Sequence, residues 1–138
     1  MGLATAWASG FCAWTRSWTY KFSNVLSTVA VSLHGEHRSA LTFENFCQSG
    51  LRVTCIDLPG FGLSSRPRFP SGASAAEAKF VDAIEAWRKA MEIQDMIVCG
   101  HSFGGYIAAA YAMRFPDNVR HLLLVDPWGL PQRNPDAV

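Results

Sequence analysis

From Thr28 onward, short apolar runs alternate with segments of helical periodicity, a pattern typical of parallel α/β units. Right-handed crossovers between such units place the strands side by side and the helices on both faces of the sheet. The apolar runs predict four strands, at residues 29–33, 51–57, 96–99 and 122–125. The fold class is therefore α/β.

Two segments between these strands have helical patterns. Residues 74–77 read Ser-Ala-Ala-Glu, the form of a capping box, and predict a helix start. The apolar residues that follow lie on one helical face, which we expect to be buried: Phe80, Ile84, Trp87 and Met91. Residues 103–115 are rich in alanine and end at Pro116, so they predict a second helix that packs closely on the sheet.

Charge and cysteine usage exclude several function classes. The 138 residues include 12 basic and 11 acidic side chains without a basic stripe, so we expect no nucleic-acid partner. The four cysteines lie far apart, with no C-x-x-C and no histidine at ligand spacing, which predicts buried reduced thiols and neither a metal site nor a disulfide scaffold. With five Trp and nine Phe the chain is unusually aromatic, so we expect part of its surface to face lipid or protein.

A G-x-S-x-G string stands where the third strand ends and the second helix begins, at residues 100–104. In a nucleophile elbow the serine hydroxyl projects from a strained turn, and the surrounding glycines leave room for it. This pattern predicts Ser102 as a nucleophile, Gly100 and Gly104 as the elbow glycines, and the backbone N–H of Phe103 as an oxyanion donor. The alternative is a glycine-rich turn that only packs a helix on a strand.

Further strings carry a resemblance to a known family. Residues 33–35, Leu-His-Gly, are similar to the H-G turn of α/β-hydrolases, and residues 57–64 to their D-x-x-G-x-G-x-S loop. Together with residues 64–67, 85–88, 114–116 and 122–129, they resemble the α/β-hydrolase-domain four and five subfamily from residue 16 to residue 138. The resemblance implies a partial α/β-hydrolase fold that holds the central parallel strands, flanking helices and elbow but not the cap or the last strands.

The resemblance also implies lipid chemistry without a cofactor or a metal. One branch of the subfamily is a lysophospholipase that acts on N-acyl phospholipids, and the other is a lipid-droplet lipase co-activator with a lysophosphatidic acid acyltransferase activity. The co-activator branch has Asn at the elbow, whereas this chain has Ser102 and looks more like the hydrolytic branch. The implied function is serine-dependent ester or amide hydrolysis, or acyl transfer, on lysophospholipid-type lipids. The alternative is a non-catalytic member that binds a lipid droplet or membrane and regulates a lipase partner.

The sequence departs from the family pattern around its catalytic groups. After His34-Gly35 the family has a glycine-rich loop, but here Glu36 follows and becomes the second oxyanion donor through its backbone N–H. The family's acid and histidine come after later strands, so we expect the 138 residues by themselves to be inactive. His121 and Asp126 spell H-x-x-x-x-D, but along a strand they lie on opposite faces about 16 Å apart, so the match is accidental.

Several other residues receive structural interpretations. We expect His34 and His101 to pack or to bond the backbone, and Asp57 and Asp126 to accept loop N–H bonds. The string Gly60-Phe61-Gly62 lacks the third glycine of a dinucleotide loop, so a nucleotide enzyme is not favoured.

The N-terminal segment is rich in aromatic residues. If this segment is helical, one face of the helix carries Leu3, Trp7, Phe11, Trp14 and Trp18. Because Trp side chains suit the boundary between lipid and water, this aromatic face predicts contact with a lipid surface. We therefore divide the chain into residues 1–27, a Trp-rich segment with the first strand at 17–23, and residues 28–138, the N-terminal portion of an α/β-hydrolase domain. No Lys or Arg precedes the apolar stretch as in a signal peptide, so we expect a cytoplasmic protein, not a secreted one, attached to lipid droplets or to mitochondrial or ER membranes.

Overall fold

The computed structural model describes residues 17–20, 27–31 and 52–129, the first two ranges as strand backbone. In chain order, the elements are β1 (Ser17–Tyr20), β2 (Ser27–Val31), β3 (Arg52–Ile56), α1 (Ala73–Ala90), β4 (Met96–His101), α2 (Phe103–Arg114), a 3-10 turn (Pro116–Asn118) and β5 (Val119–Val125).

The strands form one sheet in the order β1-β3-β2-β4-β5. Strands β3, β2, β4 and β5 are parallel, as the alternating pattern predicts, whereas β1 runs antiparallel to β3 with Trp18 opposite Cys55. Strand β5 is longer than predicted, because Arg120 and His121 interrupt the apolar run but still lie on an exposed edge strand. The carboxyl ends of the four parallel strands meet at one edge of the sheet, called here the carboxyl edge.

The start of α1 differs from the prediction. The helix begins at Ala73 with Gly72 as its N-cap, so Ser74 lies inside the first turn and does not form the predicted capping box. The carboxylate of Glu77 instead accepts a hydrogen bond from the Tyr106 hydroxyl of α2. A tertiary contact therefore replaces the expected local one.

The apolar face of α1 is buried at Phe80, Ile84 and Trp87. Met91 does not belong to this face, because the helix ends at Ala90 and the Met91 side chain is exposed. Side chains from β3, β4, α1 and α2 form one continuous hydrophobic core.

The two described helices pack against each other, so both lie on the same face of the sheet. The helices that the alternating pattern predicts on the other face are not among the described elements. On β5, the edge of the described sheet, Leu123 is 42% exposed and Val125 48% exposed. No helix in the described ranges is long and apolar enough to cross a bilayer.

Two of the four cysteines can be placed. Cys55 and Cys99 are buried thiols, as predicted, and burial raises the pKa of the Cys99 thiol. Cys12 and Cys47 lie outside the described residues.

Candidate active site

Ser102 occupies the junction between β4 and α2 in a strained backbone conformation. Its φ of 54° and ψ of −124° lie in a region that costs a residue with a Cβ about 1–3 kcal/mol. Such strain persists only where neighbouring groups hold it. The strand-turn-helix geometry that the G-x-S-x-G string predicts is therefore present at Ser102.

Hydrogen bonds to both sides of the Ser102 backbone hold this conformation. Its N–H donates to the carbonyl of Val125 at 3.1 Å. Its carbonyl accepts the N–H groups of Gly105 at 3.0 Å, Tyr106 at 3.2 Å and Trp128 at 2.8 Å. The first turn of α2 and the segment that follows β5 therefore fix the residue together.

Close backbone approaches explain the glycines of the elbow. A Cβ on Gly100 would lie 2.2 Å from the carbonyl oxygen of Gly104, so strand and helix could not approach as they do. A Cβ on Gly105 would lie 2.8 Å from Cβ of Pro127. The sequence indicates the first approach, but the second depends on a residue beyond β5 and the motif does not reveal it.

The N-terminus of α2 presents an N–H group beside the serine. Among the described residues, the N–H of Phe103 donates to no backbone carbonyl, whereas those of Gly105 and Tyr106 are used by Ser102. The partial positive charge of a helix N-terminus favours developing negative charge there. Glu36, predicted to supply the second donor, lies outside the described residues.

The two histidines of the described ranges occupy different ends of the sheet. His101 is the last residue of β4 and pairs with Val125, whereas His121 pairs with Ile97 near the start of β5 and is exposed. Asp126 follows the opposite end of β5, so His121 and Asp126 do not share a site. Of the two, His121 lies at the end of the sheet away from Ser102, and His34 and His37 lie outside the described residues.

The loop after β3 is built around Asp57. Its carboxylate accepts the N–H of Leu63 at 3.1 Å, and its carbonyl accepts the Ser64 hydroxyl at 2.6 Å. Gly62 has a φ of 49°, and a Cβ there would lie 2.3 Å from Asp57 Oδ2. The structural role predicted for Asp57 is confirmed.

A buried polar cluster, absent from the sequence predictions, joins α1 to α2. The Glu85 carboxylate accepts bonds from Arg88 at 2.8 Å, Tyr111 at 2.7 Å and Asn118 at 3.3 Å. The hydrogen bond from Arg88 is the main cause that lowers the pKa of Glu85 to about 2, and burial together with Glu85 raises the pKa of Tyr111. Glu85 and Arg88 stand close in the sequence, but Tyr111 and Asn118 come from later elements and no local signal indicates them.

The predicted aromatic stripe of the N-terminal segment needs a correction. Trp18 lies in β1, so it cannot continue a helical stripe. Trp7, Phe11 and Trp14 lie outside the described residues. In the part of the chain that the structure describes, no three His, Cys, Asp or Glu side chains gather as metal ligands would.

The chain is similar to curated lipid enzymes over much of its length. The 1-acylglycerol-3-phosphate O-acyltransferase ABHD5 of Homo sapiens is 48% identical over 122 residues, which cover 84% of this chain and 35% of that protein. The (lyso)-N-acylphosphatidylethanolamine lipase of Homo sapiens is 54% identical over 85 residues, which cover 60% of this chain and 25% of that protein. The chain thus spans about a third or less of the length of these relatives. Both branches of the expected subfamily are represented.

Solved structures share the fold. A probable hydrolytic enzyme from Pseudomonas aeruginosa PAO1 has a TM-score of 0.68 at 24% identity, over 86% of this chain and 40% of that one. A membrane phospholipase A described as a bacterial virulence factor has a TM-score of 0.67 at 26% identity, over 88% of this chain and 43% of that one. A family model described as alpha/beta hydrolase fold matches residues 10–138. With its parallel sheet and its strained serine between β4 and α2, the chain belongs to the α/β-hydrolase fold family, in the subfamily that includes these two human proteins.

Proposed function

We propose that this chain contributes the nucleophile of a serine-dependent acyl hydrolase or acyltransferase that acts on lysophospholipid-type lipids. The observation that carries the proposal is the backbone of Ser102, held at φ 54° directly before the N-terminus of α2. The names of the human relatives, a lysophosphatidate-type acyltransferase and an N-acylphosphatidylethanolamine lipase, support the substrate class. The serine at the elbow favours hydrolysis over the co-activator role.

In the proposed reaction, Ser102 Oγ attacks the acyl carbonyl carbon while a base takes the hydroxyl proton. The carbonyl oxygen becomes an oxyanion that the Phe103 N–H stabilises. Collapse of this intermediate breaks the bond to the leaving alcohol or amine, which takes up the proton, and leaves an acyl-serine. Attack by water then releases a fatty acid, whereas attack by a lipid hydroxyl completes acyl transfer.

We place the base outside the described residues, because His121 lies near the start of β5, at the end of the sheet away from Ser102, and His101 is part of β4 itself. This observation favours a second candidate function, in which the 138 residues bind lipid or a lipase without catalysis. For either function, we place the protein on the cytoplasmic side of a lipid droplet or a mitochondrial or ER membrane. Trp7, Phe11 and Trp14 are the proposed contacts of the N-terminal segment.

A fluorophosphonate probe tests the nucleophile, because it labels only an activated serine. A fusion of this chain to the remaining part of the human (lyso)-N-acylphosphatidylethanolamine lipase should be labelled and should lose the label on Ser102→Ala. Ser74→Ala, which removes an exposed hydroxyl in α1, is the matched control and should keep the label.

The 138-residue chain by itself should be labelled no better than its Ser102→Ala variant. Labelling of the short chain that depends on Ser102 would show that one of its own histidines reaches the hydroxyl. A folded fusion without any label would contradict the catalytic proposal and favour the non-catalytic one.

A further inference from the structure

The loop between β3 and α1, residues 58–72, lies at the carboxyl edge of the sheet beside the elbow and presents apolar side chains to solvent. Leu63 is 50% exposed, and the rings of Phe61 and Phe69 are half-buried. Ring contacts anchor both: Phe61 lies 5.9 Å from Phe103, and Phe69 lies 4.6 Å from the buried Phe80, measured between ring centroids. Leu63 is therefore the exposed apolar tip of the loop, and the packed rings of Phe61 and Phe69 support it.

Three basic residues accompany these apolar side chains, two in the loop and one in α1. Arg66 and Arg68 are exposed, and the Arg66 guanidinium bonds the carbonyl of Gly62 at 3.3 Å, directly before Leu63. The Lys79 ammonium lies 5.1 Å from the centre of the Phe69 ring and donates to the carbonyl of Arg68. A cation over an aromatic face next to exposed apolar groups is an arrangement suited to a lipid-water boundary.

The loop itself carries no acidic side chain. Residues 58–76 contain no Asp or Glu. The flanking carboxylates are occupied, since Asp57 accepts the Leu63 N–H and Glu77 accepts the Tyr106 hydroxyl. Asp126 is exposed at the same edge of the sheet, but it follows β5 and does not belong to this loop. The loop thus presents cations without a compensating acid of its own.

The loop is preformed. Backbone bonds join the N–H of Gly60 to the carbonyl of Ser65 at 2.7 Å and the N–H of Ser64 to the carbonyl of Phe61 at 3.0 Å. Because Leu63 is held at the tip by these bonds, little conformational entropy remains to be lost when the loop meets a partner.

We propose that this loop docks on an anionic phospholipid surface, with Leu63, Phe61 and Phe69 at the boundary between headgroups and acyl chains. Arg66, Arg68 and Lys79 then face the lipid phosphates. Apolar insertion and cationic attraction together give stable attachment where one alone is marginal, and each basic residue near an anionic surface strengthens binding about fivefold. This surface uses other residues than the N-terminal Trp segment and does not require Ser102 to be reactive.

Sedimentation of the full chain with vesicles tests the proposal. Vesicles of phosphatidylcholine and phosphatidylserine in equal parts should bind the chain, and phosphatidylcholine alone should bind it more weakly. Neutralising two cations, as Arg66→Gln with Arg68→Gln, should weaken binding to the anionic vesicles about 25-fold. Leu63→Ser should weaken binding to both kinds of vesicle.

The matched control is Arg114→Gln with Arg120→Gln, which also removes two exposed guanidinium groups. Arg114 ends α2 and Arg120 is the second residue of β5, away from the carboxyl edge, and their ion pairs with Asp82 and Asp95 are exposed. This variant should bind within about twofold of the wild type, since surface ion pairs contribute little to stability.

Two outcomes would overturn the proposal: no binding to anionic vesicles, or a folded Arg66/Arg68 variant that binds like the wild type. In the second case, loss of binding on Trp7→Ala with Trp14→Ala would assign the attachment to the N-terminal segment. Ser102→Ala should bind vesicles like the wild type, so a failure of the catalytic proposal leaves this test unaffected.

Discussion

The backbone N–H of Trp128 donates a 2.8 Å hydrogen bond to the carbonyl of Ser102, so a residue beyond β5 helps to hold the elbow. The Ser102 N–H is bound in turn by the carbonyl of Val125. The strained backbone of Ser102 is therefore clamped by the segment at the end of β5 as well as by its own helix. Local sequence places the serine, and tertiary structure fixes its conformation.

Gly100→Ala should destabilise the fold at the elbow. The added Cβ would lie 2.2 Å from the carbonyl oxygen of Gly104, a backbone atom that cannot move aside without displacing α2. We expect the free energy of unfolding to fall by about 3 kcal/mol, as measured by urea unfolding. Gly72→Ala is the control, because no atom lies within 4 Å of its added Cβ, and it should change stability by less than about 0.5 kcal/mol. Equal losses in the two variants would refute this account of the elbow.

Glu85 should make the free energy of unfolding depend on pH in the acid range. Its folded pKa of about 2 lies below the ordinary value of 4.5, so the stabilisation is complete above pH 4.5 and is lost as the pH falls from 4.5 towards 2. Glu85→Gln should therefore cost about 3 kcal/mol at neutral pH, and its difference from the wild type should shrink in that acid range. Chemical unfolding at a series of pH values measures both effects.

Asp82→Asn provides the control for Glu85, because Asp82 forms an exposed ion pair with Arg114. It should cost less than about 1 kcal/mol. A Glu85 effect that does not change with pH would contradict the assignment to its carboxylate.

The edge strand β5 should make the chain prone to association. Leu123 and Val125 are exposed beside an edge that no described strand covers, so we expect the wild type to bind a hydrophobic dye and to form oligomers. Leu123→Lys should reduce both signals in dye fluorescence and light scattering. Met113→Lys should not, because Met113, although 82% exposed, lies on a helix. A monomeric wild type with a sharp thermal transition would show this expectation to be wrong.

The N-terminal segment should attach the chain to lipid droplets. Trp7→Ala with Trp14→Ala should release the chain from purified droplets in a flotation assay, because a Trp side chain unites an apolar ring with an N–H donor suited to the interface. Trp18→Ala should be compared separately, since Trp18 belongs to β1. Unchanged flotation of the Trp7/Trp14 variant would exclude the segment as the anchor.

The sequence predicts the parts of this fold that depend on near neighbours. The apolar runs place the four parallel strands, and the G-x-S-x-G string places Ser102 between β4 and α2, because periodicity and glycine spacing are local signals. The capping box predicted at residues 74–77 does not form, and the carboxylate of Glu77 binds the hydroxyl of Tyr106, a residue of another helix. The partners of Glu85 likewise come from α2 and the 3-10 turn, and no pattern within α1 indicates them.

The clamp on Ser102 also sets an order of events during synthesis. The ribosome delivers β4 and α2 before Val125 and Trp128, so the serine first exists without two of the bonds that hold its strained backbone. Only when β5 has emerged and paired with β4 can those bonds close. The strained conformation of Ser102 is thus completed only after β5 has left the ribosome, so in a shorter nascent chain the bonds to Val125 and Trp128 are still missing.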